Sequence, residues 1–254
     1  MLRPNAMSAA PPVSVIVVCH NPGDRLHQAL ASVWEQTPAS ADLIVVDGGS
    51  TDGTRAWLEA RRDRIHFFIS EPDRGVYDAM NKGLAAARTD WILFLGADDR
   101  LANREVLAAL APRLARTDAG VVGGETVYAD GRRYRLRLPP NAIARNFVHH
   151  QAAFYRRHLL LTDGGFDLTL QIMADYEMNL RLWRRRERFE SVPDHIAVCG
   201  VGGLSDRGQW QGYREEIAVR HRYFSPLACA PWDALSLLRF GRKKFVRRKS
   251  NSHG

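Results

Sequence analysis

Two adjacent carboxylates, Asp98 and Asp99, close the stretch Asp-Trp-Ile-Leu-Phe-Leu-Gly-Ala-Asp-Asp-Arg at 90–100. Side-by-side carboxylates repel unless a cation or hydrogen-bond donors hold them. A hard divalent ion, Mg²⁺ or Mn²⁺, bound through one or two carboxylates plus substrate phosphates, meets that need. Trp91 to Leu95 is a continuous apolar run of strand length, as expected of a strand buried on both faces. Gly96 and Ala97 let the backbone turn at little steric cost. In an open α/β sheet, the place just past the carboxyl end of a strand is where ligands bind. An isolated Asp-Asp is more often a solvated acidic turn, so the weight falls on what else the chain brings there. A further acid, Asp175, stands at the expected start of a helix over 172–182. A carboxylate at that position serves as a general base or as a helix cap, and spacing alone does not choose.

The elements that must position these acids are legible in order. Val13–Cys19 is rich in β-branched residues and reads as a buried strand. It breaks at His20-Asn21-Pro22-Gly23, and Asp24 is placed to cap a helix with Leu26, Leu30, Val33 and Trp34 on one face. A second strand, 43–46, ends at Asp47 and the turn Gly48-Gly49-Ser50-Thr51-Asp52-Gly53. A short helix through Trp57 and Leu58, with Asp52 as its cap, leads to a third strand at 65–69. Gly75 opens a helix with Met80, Leu84 and Ala87 in register. Strands alternating with helices argue for a parallel sheet with right-handed crossovers. The turns at His20-Asn21, Asp47-Gly48-Gly49 and Asp98-Asp99 then share one sheet edge and one crevice. No Gly-x-Gly-x-x-Gly follows the first strand and no Gly-Lys-Ser/Thr loop occurs, so a diphosphate bound here needs a metal rather than a glycine cradle.

Beyond Arg100 the pattern changes. A helix is expected over 104–114, a short strand at 121–122, and a hairpin of 126–128 with 134–138 around Ala-Asp-Gly-Arg, ended by Pro139-Pro140. Another strand is expected within 147–156, a strand and Gly-rich turn at 198–204, and a helix over 211–223.

Composition narrows the class. A chain of 254 residues with 45% hydrophobic content supports one sizeable domain, or one with a smaller appendage. Cys19, Cys199 and Cys229 fit neither a disulfide framework nor a zinc motif, so a reducing cytosol is the expectation. Residues 1–12 do not form a signal peptide, and no apolar run is long enough to span a bilayer. Seven of the 36 Lys and Arg lie in 239–254, leaving 29 basic against 28 acidic residues in the rest. The body is near neutral and is not expected to bind nucleic acid. The tail interleaves its charges with Trp232, Leu235, Leu237, Leu238, Phe240 and Phe245, the composition of an interfacial amphipathic helix.

Four segments, Val-Ser-Val-Ile-Val-Val-Cys-His-Asn, Leu-Ile-Val-Val-Asp-Gly-Gly-Ser-Thr-Asp-Gly-Thr, Ser-Glu-Pro-Asp-Arg-Gly-Val-Tyr-Asp-Ala-Met-Asn-Lys-Gly and Trp-Ile-Leu-Phe-Leu-Gly-Ala-Asp-Asp, resemble glycosyltransferase family 2 in its non-processive bacterial polysaccharide-type branch. His-His-Gln-Ala-Ala-Phe-Tyr-Arg-Arg and Ala-Asp-Tyr-Glu-Met-Asn-Leu-Arg resemble the family's acceptor half. The resemblance runs from about Pro12 to Leu204. It implies an α/β GT-A fold, with a Rossmann-like, mostly parallel sheet in a nucleotide-sugar-binding half (12–116), a smaller acceptor-binding half (117–225) and a basic tail (226–254). It implies inversion in one displacement on a nucleotide-diphosphate sugar, with Mn²⁺ or Mg²⁺ as cofactor. By the same resemblance Asp47 contacts the base, Asp98 the ribose or the metal, and Asp99 the metal, while Asp175 is the base. Asn21, Asp78 and Asn81 are expected at the nucleotide, the last two because they lie three apart on one helix; helix-surface polarity is the alternative. His150 is a candidate for acceptor or phosphate oxygens, and Glu177 orients Asp175 or the acceptor, or is simply a first-turn acid. The processive enzymes' Gln-x-x-Arg-Trp is missing; Asp206-Arg207-Gly208-Gln209-Trp210 is only faintly similar. Addition of one sugar, to a lipid-linked saccharide at the inner face of the cell membrane, is the expectation, with peripheral contact to anionic lipid. A metal-dependent nucleotidyltransferase and a non-catalytic nucleotide-sugar binder remain the alternatives.

Overall fold

The computed structural model describes residues 13–37, 41–137, 142–201, 203 and 209–251, with side chains as far as Lys244. The expectations for residues 1–12, for Pro139-Pro140, for 204–208 and for the side chain of Phe245 lie outside the described residues. Among the described residues there are nine strands: β1 (Val13–Cys19), β2 (Asp42–Asp47), β3 (Phe67–Ser70), β4 (Trp91–Gly96), β5 (Arg100–Leu101), β6 (Val121–Tyr128), β7 (Arg133–Arg135), β8 (Ala153–Arg156) and β9 (Phe189–Cys199). There are eight α-helices: α1 (Arg25–Trp34), α2 (Thr54–Glu59), α3 (Val76–Ala86), α4 (Val106–Arg116), α5 (Arg157–Thr162), α6 (Ala174–Arg184), α7 (Trp210–Tyr223) and α8 (Pro226–Asn251).

All nine strands form one sheet, in the order β3-β2-β1-β4-β8-β6-β9-β5, with β7 on β6. The first four strands are parallel. β8 then pairs antiparallel with both β4 and β6, and β6 runs parallel to β9. The parallel strands are apolar at nearly every position because helices cover both faces. Alternate residues feed two cores. Ile16, Val18, Ile44, Val46, Ile92 and Phe94 face α3 and α6. Val15, Val17, Leu43, Val45, Leu93 and Leu95 face α1 and α4. Gly83 lets α3 lie tightly on β1: a Cβ there would fall 2.4 Å from Ile16 Cγ2.

Several expected boundaries shift. The strand at 121–122 extends through Gly123-Gly124 to Tyr128, because neighbouring elements leave no room for side chains there; a Cβ on Gly124 would sit 2.5 Å from the Asp194 carbonyl. The strand at 147–156 is only β8, preceded by a 3₁₀ turn at His150–Ala152. The strand expected at 198–204 is instead the end of β9, which begins at Phe189. Asp24 precedes α1 but its side chain makes no capping hydrogen bond. Asp52 does take the Thr54 N–H at the start of α2 (3.1 Å).

The C-terminal segment is a long helix laid along α7. Arg220, fully buried, donates to Asp233 (2.9 Å) and Ser236 (2.7 Å), and Arg239 pairs with Glu216. Among the described residues no helix is long and apolar enough to cross a membrane.

Candidate active site

The carboxyl ends of β1 and β4, the turn before β8 and the entry to α6 enclose a cleft of about 440 Å³. His20, Pro22 and Arg25 line it, together with Asp98 and Asp99 beyond β4 and with His149, His150 and Asp175. Of the three strand-end turns expected to share one crevice, those after β1 and β4 line it and the turn after Asp47 does not. The acidic residues from the two parts of the chain meet in it.

Asp99 is buried. It accepts N–H bonds from Gly96 (2.9 Å) and Gly200 (3.3 Å), and burial, reinforced by the Asp98 charge, holds its carboxyl above the usual carboxylate range. Asp98 is half-buried beside it. A Cβ on Gly200 would lie 2.6 Å from an Asp98 oxygen, and one on Gly96 would lie 2.9 Å from Asp99, so both glycines leave space that only the carboxylates occupy. Among the described residues no cluster of three or more His, Cys, Asp or Glu gathers around a cation site. A mutually repelling carboxylate pair fits Mg²⁺ or Mn²⁺ of the kind that takes its remaining ligands from phosphates and water.

Asp175 is the second centre. It is the second residue of α6 and not its cap, which is Met173. The Tyr77 hydroxyl of α3, shared between the Ile172 carbonyl (2.7 Å) and Oδ1 (3.2 Å), borders it, the Tyr176 N–H donates to Oδ1 (2.8 Å), and Asn146 donates to Oδ2 (2.8 Å). His150 Nδ1 lies 3.3 Å from the same Oδ2. Burial, and Asp175 beside it, push the Tyr77 phenol well above its ordinary range, so it stays a donor. His150 thus stands at Asp175 itself.

Other expected residues lie elsewhere. Asn81 is a correction: its amide donates to the Phe166 carbonyl (2.9 Å) and accepts the Phe166 N–H (2.8 Å), which ties α3 to the loop before α6. Spacing puts Asn81 and Asp78 on related faces of a helix but does not say what those faces meet. Asp78 pairs with Arg74 (3.1 Å) and lines a separate cleft of about 300 Å³ together with Leu168, Leu170, Gln209 and Gln211. Glu177 does not orient Asp175; it takes the Tyr223 hydroxyl and pairs with Arg181 (3.3 Å). Asp47 is fully buried and has no surface on the cleft. It binds the Ser50 N–H (3.1 Å), the Ser50 hydroxyl and the Ser70 hydroxyl (2.6 Å), and so fixes the Gly-rich turn against β3. Asn21, at φ 46°, accepts the Thr51 N–H (2.8 Å) and joins the first turn to that same loop.

Three residues escape sequence reasoning. Tyr77 and Asn146 hold Asp175. Glu215 of α7, buried, accepts the N–H groups of Gln171 (3.1 Å), Ile172 (2.8 Å) and Met173 (3.0 Å) and so sets the turn that delivers Asp175. No local pattern marks them, since each acts across 29 to 98 residues of sequence.

The architecture is that of a GT-A glycosyltransferase. The model of glycosyl transferase family 2 matches residues 14–179. A PGL/p-HBAD biosynthesis glycosyltransferase of Mycobacterium bovis is 35% identical over 211 residues, covering 78% of this chain and 80% of that protein. A succinoglycan biosynthesis protein of Rhizobium meliloti is 30% identical over 200 residues, covering 69% of this chain and 56% of its own length. The chain therefore belongs to glycosyltransferase family 2. Two solved structures share the fold. S. aureus TarS in complex with UDP-GlcNAc has a TM-score of 0.67 at 19% identity, covering 89% of this chain and 71% of that one. A mannosyltransferase from Pyrobaculum calidifontis in complex with GDP-Man and Mn²⁺ has a TM-score of 0.62 at 23% identity, covering 92% and 76%.

Two outcomes follow from these contacts. Asn81→Ala should lower unfolding stability by ~1–3 kcal/mol, because it strands both backbone groups of Phe166, while nucleotide-sugar affinity by calorimetry stays near wild type; a large affinity loss without destabilisation would restore Asn81 to the nucleotide. His149, stacked on Tyr134 at 4.4 Å, has its pKa pushed down from 6.5 to about 4, chiefly by burial. The folded form then binds fewer protons than the unfolded one, so stability falls as pH drops from 6.5 towards 4, by up to about 3 kcal/mol. Urea denaturation across that window should show a shallower slope in His149→Phe, and identical slopes would contradict the assignment.

Proposed function

We propose that this glycosyltransferase inverts the anomeric centre while moving one sugar from a nucleotide-diphosphate donor to an acceptor hydroxyl. The observation that carries this reading is the pair of acidic stations across one cleft, Asp98-Asp99 at the end of β4 and Asp175 held by Tyr77, Asn146 and His150. The nucleotide lies along the rim of His20, Pro22 and Arg25, beside the turn that Asp47 and Asn21 brace. Asp98 and Asp99 would hold Mn²⁺ or Mg²⁺, which when bound stabilises the charge gathering on the leaving diphosphate. The complexes of related folds with UDP-GlcNAc and with GDP-Man and Mn²⁺ support this choice of donor and ion.

Asp175 takes the proton of the acceptor hydroxyl. The oxygen forms its bond to the anomeric carbon from the face opposite the diphosphate, while the bond to the diphosphate oxygen breaks and its electron pair leaves with that oxygen. The donors around Asp175 fix its orientation, so the base meets the hydroxyl without searching rotamers. The acceptor is a lipid-linked saccharide of a surface polysaccharide or glycolipid pathway, reached at the inner face of the cell membrane. The names of the relatives in succinoglycan and PGL/p-HBAD biosynthesis support that class.

Asp175→Asn keeps the side chain's size but cannot accept the proton. Transfer should fall by ~10²–10⁴ while calorimetric donor affinity stays within about twofold, since the base acts on the acceptor. Near-wild-type transfer, or a collapse of donor affinity, would remove Asp175 from this role.

A further inference from the structure

Helix α8 is amphipathic the wrong way round for an ordinary surface helix. Its side towards α7 carries polar groups: Asp233 and Ser236 receive the buried Arg220, and Arg239 reaches Glu216. Its outer side carries leucines. Leu227 is 88% exposed and Leu238 71%, with Leu237 at 49% and Leu235 at 42% on the flanks. At about 100° per residue, Leu227, Pro231, Ala234 and Leu238 fall within roughly 60° of arc, opposite buried Cys229 and Ser236. Single exposed leucines are ordinary; an apolar stripe with Leu227 and Leu238 at its ends, Pro231 and Ala234 between them and Leu235 and Leu237 on its flanks, on a helix whose polar side is spent inward, marks a surface that something apolar covers.

Charge selects the cover. Arg242 and Lys244 are exposed beside the stripe, the sequence continues with Arg247, Arg248 and Lys249, and 239–254 contain no acid. A second copy of the chain would bring this charge against itself. An apolar ridge flanked by cations instead suits a flat, deformable anionic surface. The position agrees: Phe240 packs on Trp210 (5.1 Å between rings) at the start of α7, so the basic end of α8 comes to the side where Gln209 and Gln211 line the second cleft. That cleft shares Val76, Tyr77, Gln171 and Ile172 with the first.

We propose that α8 docks the enzyme on an anionic bilayer through the Leu227–Leu238 stripe, with Arg242 and Lys244 among the headgroups. The docking stands on the helix alone; its purpose, presenting the second cleft to a lipid-linked acceptor, rests on the function proposed above.

The test is co-sedimentation of the full chain with vesicles of phosphatidylcholine alone or mixed with phosphatidylglycerol. Cutting the chain before Asp233 would not serve, because it strands Arg220 in the interior. The variants are Leu227→Glu with Leu238→Glu, and Arg242→Glu with Lys244→Glu; none of these residues lines either cleft. Wild type should bind the anionic vesicles, bind phosphatidylcholine far more weakly, and release with salt. The leucine pair should weaken binding by ~10-fold or more, and the charge reversal likewise, at roughly fivefold per cation. Both should keep wild-type thermal stability and wild-type transfer to a water-soluble acceptor. Equal sedimentation of the leucine pair and wild type, or no preference for anionic vesicles, overturns the proposal. So does a lipid-free dimer abolished by the leucine pair, which would make the stripe a contact between copies. Loss of transfer in Asp175→Asn with vesicle binding intact would leave the two readings separately judged.

Discussion

The structure turns on a link of three residues. β4 ends at Gly96 and β5 begins at Arg100, yet β8, β6 and β9 lie between those strands in the sheet. Four strand spacings in a flat sheet come to about 19 Å, and the chain from residue 96 to residue 100 reaches at most about 14 Å. The sheet must therefore curl until its two regions meet over Ala97, Asp98 and Asp99. That closure explains why Gly200, at the end of β9, presses on Asp98 and donates its N–H to Asp99. It also gathers the ends of β1, β4 and β9 and the turn before β8 around one opening.

The wall that faces the carboxylate pair is built from distant parts. Tyr77 comes from α3, and Asn146 and His150 come from the segment before β8. Asn146 also takes an N–H from Asn179 of α6 (3.0 Å), whose carbonyl oxygen accepts the Tyr155 hydroxyl (3.1 Å). α7 closes the circuit with two consecutive acids. Glu215 sets the turn leading to Asp175, and Glu216 binds α8 through Arg239. Asp175 and the proposed lipid-facing helix thus hang on adjacent residues of one helix.

The fold was legible where burial writes itself into composition. β1, β2 and β4 are covered on both faces, so their apolar runs are unbroken, and the turns that end β1 and β4 mark the crevice. β6 was not, because Gly123-Gly124 reads as a break and only packing against Leu136 and Ile196 explains it. Asp175 stands out in the sequence by its place in a motif, but its neighbours do not, since Tyr77, Asn146 and Glu215 look like ordinary polar residues until the chain brings them together. Asn81 was misassigned for the complementary reason: periodicity gives the face and not the neighbour. For the tail, composition gave the apolar and basic character, while the direction of the leucines required knowing that Arg220 claims the other side.

The central claim is a single displacement, with the acceptor activated at Asp175 and the diphosphate leaving on the side of Asp98 and Asp99. Proton NMR of the first product formed from a donor of known anomeric configuration tests it most directly. The product should carry the opposite configuration, read from the anomeric coupling constant before any mutarotation. Retention of the donor's configuration would contradict it, because that outcome needs a second displacement or attack from the leaving-group face.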